Sequence, residues 1–196
     1  MSLRRIAIVF AVVLAAAAPV VAQTHSTDPE AAPVVLVAKP QVAQFYRGTV
    51  LFVRPVGGGA HVGFIINRPT DVTLRSLFPQ HLPAQKVSKP VLLGGPAYTD
   101  TLFAVVQKKS SPGGSSIAFA NDVFLAFDLA VVDRIIEQYG NAARFMVGLV
   151  LWRPGELTRE IRNGVWFVRE AEAELLFGKP TDGLWEELIQ RSRSYV

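Results

Sequence analysis

The apolar residues of the chain fall into one continuous run near the start and many shorter runs after it. Residues 6–22 are unbroken in their apolar character, follow Arg4 and Arg5, and precede a polar stretch. A basic start, an apolar centre and small residues before a cut are typical of a secretory signal. We therefore predict a signal peptide over residues 1–22 that is cleaved after Ala22.

An uncleaved membrane anchor is the alternative interpretation of the same run. Its 17 residues are at the short limit for a helix that crosses about 30 Å of hydrocarbon, and Pro19 shortens the useful helix. Cleavage predicts a periplasmic protein, and retention predicts an inner-membrane anchor that faces the periplasm. A third alternative, a start codon nearer Val34, predicts a cytoplasmic protein.

Short β-type segments dominate the chain after a polar, proline-containing stretch, residues 23–33, which is predicted to be a disordered linker. Runs rich in β-branched and aromatic residues, bounded by Gly, Pro and Asn, predict strands. They cover residues 34–38, 48–53, 62–67, 91–93, 102–107, 116–120, 123–127, 145–151 and 165–168. The run 145–151 is the most hydrophobic, which predicts a central strand buried on both faces.

Helical periodicity is concentrated late in the chain. Asp128 is placed to cap a helix whose apolar positions from Val132 to Tyr139 recur at i, i+3, i+4 and i+7. Further helices are predicted over residues 73–78, 156–162, 170–177 and 184–191. With no internal repeat and no second linker, the pattern predicts one α+β domain over residues 34–196, with mostly antiparallel strands.

Composition narrows the function more than the fold. The 196 residues include no cysteine and three histidines, and the formal net charge is +4. The sequence therefore offers no disulfide, thiolate nucleophile or thiolate zinc site, and no spacing in it predicts a metal or a cofactor. Without the two arginines of the signal the charge is +2 (4 − 2), which is too small to predict nucleic-acid binding.

Five motifs in order along the chain resemble those of the AlgH/YqgE family, uncharacterised bacterial proteins whose name suggests transcriptional regulation. They are Phe-Tyr-Arg-Gly-Thr-Val (45–50), Gly-Phe-Ile-Ile-Asn-Arg-Pro (63–69), Leu-Gly-Gly-Pro (93–96), Gly-Leu-Val-Leu-Trp (148–152) with Pro-Gly-Glu-Leu (154–157), and Leu-Leu-Phe (175–177) with Trp185. The resemblance implies a single α+β domain with a curved, barrel-like, mainly antiparallel sheet and flanking helices.

The chain departs from the family pattern around Trp152. Leu151 stands where the family has glycine, and Arg153 stands where it has a small residue. Glu156 replaces the usual glutamine, and Thr158 replaces the usual glutamate. A function that the family carries on this surface would be altered here.

Asn67 and Arg68 are the first candidates for a binding surface. The planar Arg68 guanidinium suits a carboxylate or a phosphate. The structural alternative is that Arg68 pairs with Asp71 or Asp100 while Asn67 caps the strand end.

Two further candidate surfaces follow in the chain. The amides of Gly94 and Gly95 offer a nest for an anion, and the alternative is a tight turn, because no Gly-Lys-Ser/Thr follows. Trp152, Arg153 and Glu156 suit an exposed patch for a partner, and the alternative is a tryptophan packed at a strand end.

No catalytic residue is assigned, because the sequence contains neither a Gly-Xaa-Ser-Xaa-Gly elbow nor a paired acid–base site. We predict an exported, non-enzymatic binding or regulatory module for an unknown protein or a small anionic ligand. Its contact with a membrane is limited to an uncleaved signal segment. The alternatives are an anion-binding, hydrolase-like enzyme that uses Arg68 and the Gly94–Gly95 turn and, more remotely, a transcriptional regulator.

Overall fold

The computed structural model describes residues 28–42 and 44–193. The predicted signal peptide, residues 1–22, lies outside the described residues, as does the first part of the predicted linker. Within the described ranges no helix is long and apolar enough to cross a membrane.

The described part of the predicted linker, residues 28–33, forms a turn against the domain. His61 Nε2 donates a hydrogen bond to the Pro29 carbonyl at 3.0 Å, and the Thr158 hydroxyl donates to Glu30 at 2.7 Å. These two contacts fix the turn on the domain, whereas the disorder expected for residues 23–27 stays a prediction.

The described residues include one continuous sheet, six α-helices and two short 3-10 helices, Gln44–Tyr46 and Gly140–Ala142. The strands are β1 (Val34–Ala38), β2 (Val50–Gly57), β3 (Ala60–Ile65), β4 (Pro69–Thr73), β5 (Pro90–Leu93), β6 (Ala97–Gln107), β7 (Ser116–Ala120), β8 (Val123–Ala126), β9 (Arg144–Trp152) and β10 (Trp166–Glu170). The helices are α1 (Leu74–Leu77), α2 (Leu82–Gln85), α3 (Leu129–Tyr139), α4 (Glu156–Arg162), α5 (Ala173–Phe177) and α6 (Leu184–Arg193). The sequence predicts all of these strands and α-helices except β4 and α2, with shifts of a few residues at the ends.

Strand β9 is the centre of the sheet, whose strand order is β10-β1-β2-β3-β9-β6-β8-β7. It pairs with β6 along one side, and with β5 and then β3 along the other. The β5–β9 pairing is parallel, and the other pairings in the described residues are antiparallel. The predicted central strand is therefore confirmed, although Leu151 near its end is 50% exposed.

The curled sheet buries apolar side chains on both faces. One face holds a single large cluster, which includes the mutually packed rings of Phe52, Phe64 and Phe119 and is closed by α5 and α6. The other face is covered in two halves, by α3 over β6 and β8 and by α4 over β1 to β3. This curled half-barrel with flanking helices confirms the predicted fold class.

Candidate functional site

Asn67 holds the start of β2. Its Oδ1 accepts a hydrogen bond from the Val50 N–H at 2.8 Å, and its Nδ2 donates to the Gly48 carbonyl at 2.9 Å. Both ends of the side-chain amide are thus committed to the backbone of one neighbouring segment. This is a structural clamp of the kind that the alternative interpretation describes.

Arg68 is held by the turn that precedes β2. Its guanidinium lies over the Phe45 ring, 4.6 Å from the centroid, and Nη2 donates to the Phe45 carbonyl. Burial lowers its pKa, and the nearby Tyr46 acts in the opposite direction. Among the described residues neither Asp71 nor Asp100 pairs with Arg68, so the predicted ion pair is wrong. The aromatic face and a carbonyl take its place.

The Gly94–Gly95 turn packs directly onto β9. The Gly94 N–H donates to the Val147 carbonyl at 2.8 Å, so this amide is not open to an anion. A Cβ on Gly95 would lie 2.2 Å from the Leu149 carbonyl, a distance that no side chain can adopt. The two glycines therefore allow two backbones to approach closely.

Trp152 is buried, with 5% of its surface exposed, so it does not form the exposed patch that we predict from the sequence. Its Nε1 donates to Glu160 Oε2 at 2.9 Å, and Trp166 Nε1 donates to the same oxygen at 2.8 Å. The Tyr46 ring packs edge-on against Trp166. One carboxylate oxygen thus joins two indoles from β9 and β10.

Arg153 and Glu156 form the turn that leads into α4. Arg153 is exposed, and its N–H donates to Glu156 Oε2 at 2.7 Å. A glutamine at position 156 could accept the same bond through its side-chain carbonyl. The hydrogen bond that closes this turn therefore does not require the charge of Glu156.

A buried cation that the sequence analysis did not single out lies at the start of β9. Arg144 is 9% exposed, its Nε donates to the Leu176 carbonyl at 3.0 Å, and its Nη2 donates to the Phe177 carbonyl at 3.3 Å. Its Nη1 is buried and finds no hydrogen-bond partner within residues 28–42 and 44–193. Burial lowers the pKa of Arg144.

Arg144 lines a pocket of about 220 Å³ together with Lys89 and Lys179, which we call the basic pocket. Burial and the charge of Arg144 together lower the pKa of Lys89, so the two cations lie close enough to repel each other. Lys179 forms an ion pair with Glu187 at 3.0 Å. Two of the three cations therefore lack a carboxylate partner among the described residues.

A second pocket, of about 390 Å³, lies against α3 and is mainly apolar; we call it the apolar pocket. Its lining residues are Phe78, His81, Leu102, Leu129, Ala130, Val132, Asp133 and Ile136. Leu129 on its rim is 78% exposed, and Leu82, next to His81, is 76% exposed. Large aliphatic side chains thus stand in solvent beside a concave surface.

His81, Asp133 and Glu137 place donor atoms within 4.8 Å of one another, which is close enough for a metal site. However, His81 Nδ1 accepts the Ala84 N–H at 3.1 Å, and its Nε2 lies 2.9 Å from Asp133. A neutral imidazole that accepts through Nδ1 carries its proton on Nε2, the atom that would have to bind the metal. The ring therefore acts as the N-cap of α2 and as a donor to Asp133.

Sequence signals for these two pockets are weak. Arg144 directly precedes the most hydrophobic run of the chain, and a charge at the start of a buried strand needs a partner. Lys89 and Lys179 each precede a proline and show no periodicity. Only Arg144 carried a usable signal.

Comparison with known proteins gives one consistent result. The family model described as AlgH-like matches residues 35–194. A UPF0301 protein of Bordetella petrii is 31% identical over 153 residues, which cover 75% of each chain. One of Ruegeria pomeroyi is 27% identical over 150 residues, which cover 74% of this chain and 82% of that protein.

Solved structures show the same fold. The AlgH protein from Pseudomonas aeruginosa superposes with a TM-score of 0.70 at 21% identity, over 89% of this chain and 94% of that chain. Protein DIP2367 from Corynebacterium diphtheriae superposes with a TM-score of 0.65 at 22% identity, over 82% and 86%. Both support a single curled-sheet domain.

Proposed function

The chain belongs to the AlgH-like family, whose relatives above carry no stated activity, and on that premise we propose that it is an exported, non-enzymatic binding module. Its binding surface is the apolar pocket against α3, and its ligand is an apolar side chain of a partner protein flanked by a basic residue. The observation that carries this proposal is the exposure of Leu129, which lines the pocket together with the partly exposed Phe78.

Apolar side chains that are exposed together at a concave surface are unfavourable in water when the protein is free. A single exposed leucine is ordinary, but large apolar side chains that gather around a concave surface are typical of interaction sites. Leu129 and Phe78, which is 37% exposed, both line the pocket, and the exposed Leu82 follows the lining residue His81 in the chain. A partner that fills the pocket would remove this surface from water.

The charge beside the pocket supports a basic partner. Leu129, Asp133 and Glu137 are spaced four residues apart along α3, so they lie on one helix face. Both carboxylates are exposed, and Asp133 is oriented by His81. A lysine or arginine beside the inserted apolar side chain would complement these carboxylates and set the orientation of the partner.

The lining of the pocket supports binding rather than catalysis. His81 donates to Asp133, but its other ring nitrogen accepts the Ala84 N–H and is not free to act as a base. In addition, none of the lining residues is a serine, threonine, cysteine or lysine. The base–orienter pair of a hydrolase needs a nucleophile within hydrogen-bond reach.

Peptide selection on the purified protein tests this proposal. We expect a random display library to yield peptides in which Leu, Phe or Trp lies within one helical turn of Lys or Arg. The selected peptides should bind Leu129→Ser about tenfold more weakly or worse, because a buried aliphatic side chain is lost. Leu151→Ser is the matched control, since Leu151 is 50% exposed but lines a different groove.

Two results would contradict the proposal. One is selection of acidic peptides, which the carboxylates of α3 would repel. The other is equal loss of binding in Leu129→Ser and Leu151→Ser, which would indicate a non-specific apolar contact.

Export is the second part of the proposal, and it rests on the sequence of residues 1–22. Intact mass of the protein recovered from separated periplasm and cytoplasm tests it. We expect a periplasmic product that begins at Gln23. A cytoplasmic product that retains residues 1–22, or begins near Val34, would overturn export and leave the binding proposal standing.

A further inference from the structure

We propose that the basic pocket binds a phosphate group, either as free phosphate or as the phosphate of a small monoester. The pocket lies where the starts of β5 and β9 meet the loop between α5 and α6. This site is separate from the apolar pocket, and the two pockets have no lining residue in common.

Arg144 provides the first argument. A buried charge is normally paired, because a charge out of water without a partner is unstable. The Arg144 side chain forms no ion pair among the described residues, and its Nη1 lacks even a neutral acceptor. An anion in the pocket would supply the missing charge.

The bonds of Arg144 to the end of α5 use only two of its three guanidinium nitrogens. Its Nε and Nη2 bind the carbonyls of Leu176 and Phe177 at the C-terminal end of α5, where a cation is favoured. These two neutral acceptors leave Nη1 unmatched and the full charge uncompensated. They also fix the plane of the guanidinium at the wall of the pocket.

Lys89 provides the second argument. It repels Arg144 at close range, yet its Nζ is held in place by a hydrogen bond to the Asn141 carbonyl. A shared counter-ion would relieve this repulsion. A phosphate monoester carries a charge of about −1.5 to −2 at neutral pH and so matches two cations, whereas a carboxylate matches one.

The remaining walls fit a phosphate on a small organic group. Thr181 contributes a hydroxyl donor, and Pro90 and Leu92 offer apolar surface for a few carbon atoms. The pocket is smaller than the roughly 300–1,000 Å³ of sites for drug-sized ligands. Asp182 also lines the pocket, but it is exposed and forms no ion pair with either cation among the described residues.

Calorimetric titration of the purified protein with inorganic phosphate, at neutral pH and constant ionic strength, tests this proposal. We expect saturable binding that Lys89→Gln weakens about tenfold or more, since a charge-assisted hydrogen bond is lost. Lys86→Gln is the matched control, because Lys86 is exposed and lines no part of the pocket. It should change the affinity less than about twofold.

Nuclear magnetic resonance supplies a readout that does not depend on variants. We expect phosphate to shift the Arg144 Nε–H signal in the wild-type protein. Glycerol phosphate distinguishes the source of the group: tighter binding than inorganic phosphate supports a monoester, and weaker binding supports free phosphate.

Three results would overturn the proposal. The first is no saturable binding of either phosphate. The second is an equal effect of Lys86→Gln and Lys89→Gln, which would indicate general attraction to a basic surface. The third is acetate binding as tight as that of phosphate, which would identify a carboxylate site.

Discussion

Glu160 and Arg144 are both charged side chains that are at least partly buried in the domain, but they differ in the partners that surround them. Glu160 receives two indole N–H donors on one oxygen, from Trp152 and Trp166. Among the described residues Arg144 has no ion-pair partner, and a second cation, Lys89, lies beside it. The first arrangement is complete within the protein, and the second is completed by an added anion.

In this fold a charge with a structural role is satisfied by groups of the protein itself, whereas a charge available for binding lacks such partners. Around Glu160 the partners are neutral, fixed side chains that belong to the same cluster as Tyr46. Burial and the Glu160 charge both raise the pKa of Tyr46, which keeps that phenol neutral. Around Arg144 no such set exists among the described residues. Three substitutions test the difference.

The largest effect is expected from Glu160→Ala. It leaves two indole N–H groups without their acceptor, and each buried unsatisfied donor costs about 1–3 kcal/mol. Because Glu160 is only half-buried, we expect the free energy of unfolding to fall by about 2–4 kcal/mol, measured by urea denaturation. Arg159→Ala, an exposed change in the same helix, is the control. An equal loss in both variants would show that the indole bonds are not structural.

Arg144→Met is expected to behave in the opposite way. The variant loses the two hydrogen bonds to α5, but it also removes the cost of burying an unpaired charge, because methionine is apolar and of similar size. We therefore expect the free energy of unfolding without phosphate to change by less than about 1 kcal/mol. Wild-type protein should gain about 2.7 kcal/mol at a phosphate concentration 100 times Kd, and the variant should gain nothing. A loss of several kcal/mol without phosphate would make Arg144 structural, like Glu160.

The smallest effect is expected from Glu187→Gln, which releases Lys179 into the basic pocket. Since this ion pair is partly exposed, we expect phosphate to bind about twofold more tightly. Glu186→Gln, one residue earlier and exposed, should leave the affinity unchanged. Unchanged affinity in Glu187→Gln would mean that Lys179 takes no part in binding.

The same variant has a pH signature. The hydrogen bond from Lys179 lowers the pKa of Glu187 below its ordinary value of 4.5. A lowered carboxyl pKa stabilises the fold above the unfolded-state pKa, and this contribution disappears as the pH falls through the folded-state pKa. Glu187→Gln should therefore flatten the acid-side loss of stability in a series of urea titrations.

The elements that the sequence predicts well are those whose local signals agree with their packing. Asp128 caps α3 by accepting from the Ala130 and Val131 N–H groups, and the apolar stripe of that helix is buried as its spacing predicts. Strand β4 shows no alternation and pairs irregularly with β5, so its sequence contains no strand pattern. Helix α2 is four residues long and is capped by a histidine ring, which the usual capping rules omit.

The candidate site was harder to predict for a different physical reason. Asn67, Arg68, Gly94 and Trp152 stand out in the sequence because the fold requires them, and the structure uses them for internal contacts. The basic pocket instead combines side chains from distant segments, each ordinary in its local context. Only the topology of the sheet brings Lys89, Arg144 and Lys179 together.

The central position of β9 also sets the order in which the chain can fold. Its partners β3, β5 and β6 all precede it in the chain. The edges that they pair with β9 therefore stay unpaired until residues 144–152 have been synthesised. Sheets that depend on such distant pairings fold slowly, because a long loop must close before any contact forms. The sheet therefore cannot close on the ribosome before about three quarters of the chain is made. If the chain is exported as we propose, this delay would let a secretion channel that threads an unfolded chain engage it before β9 completes the sheet.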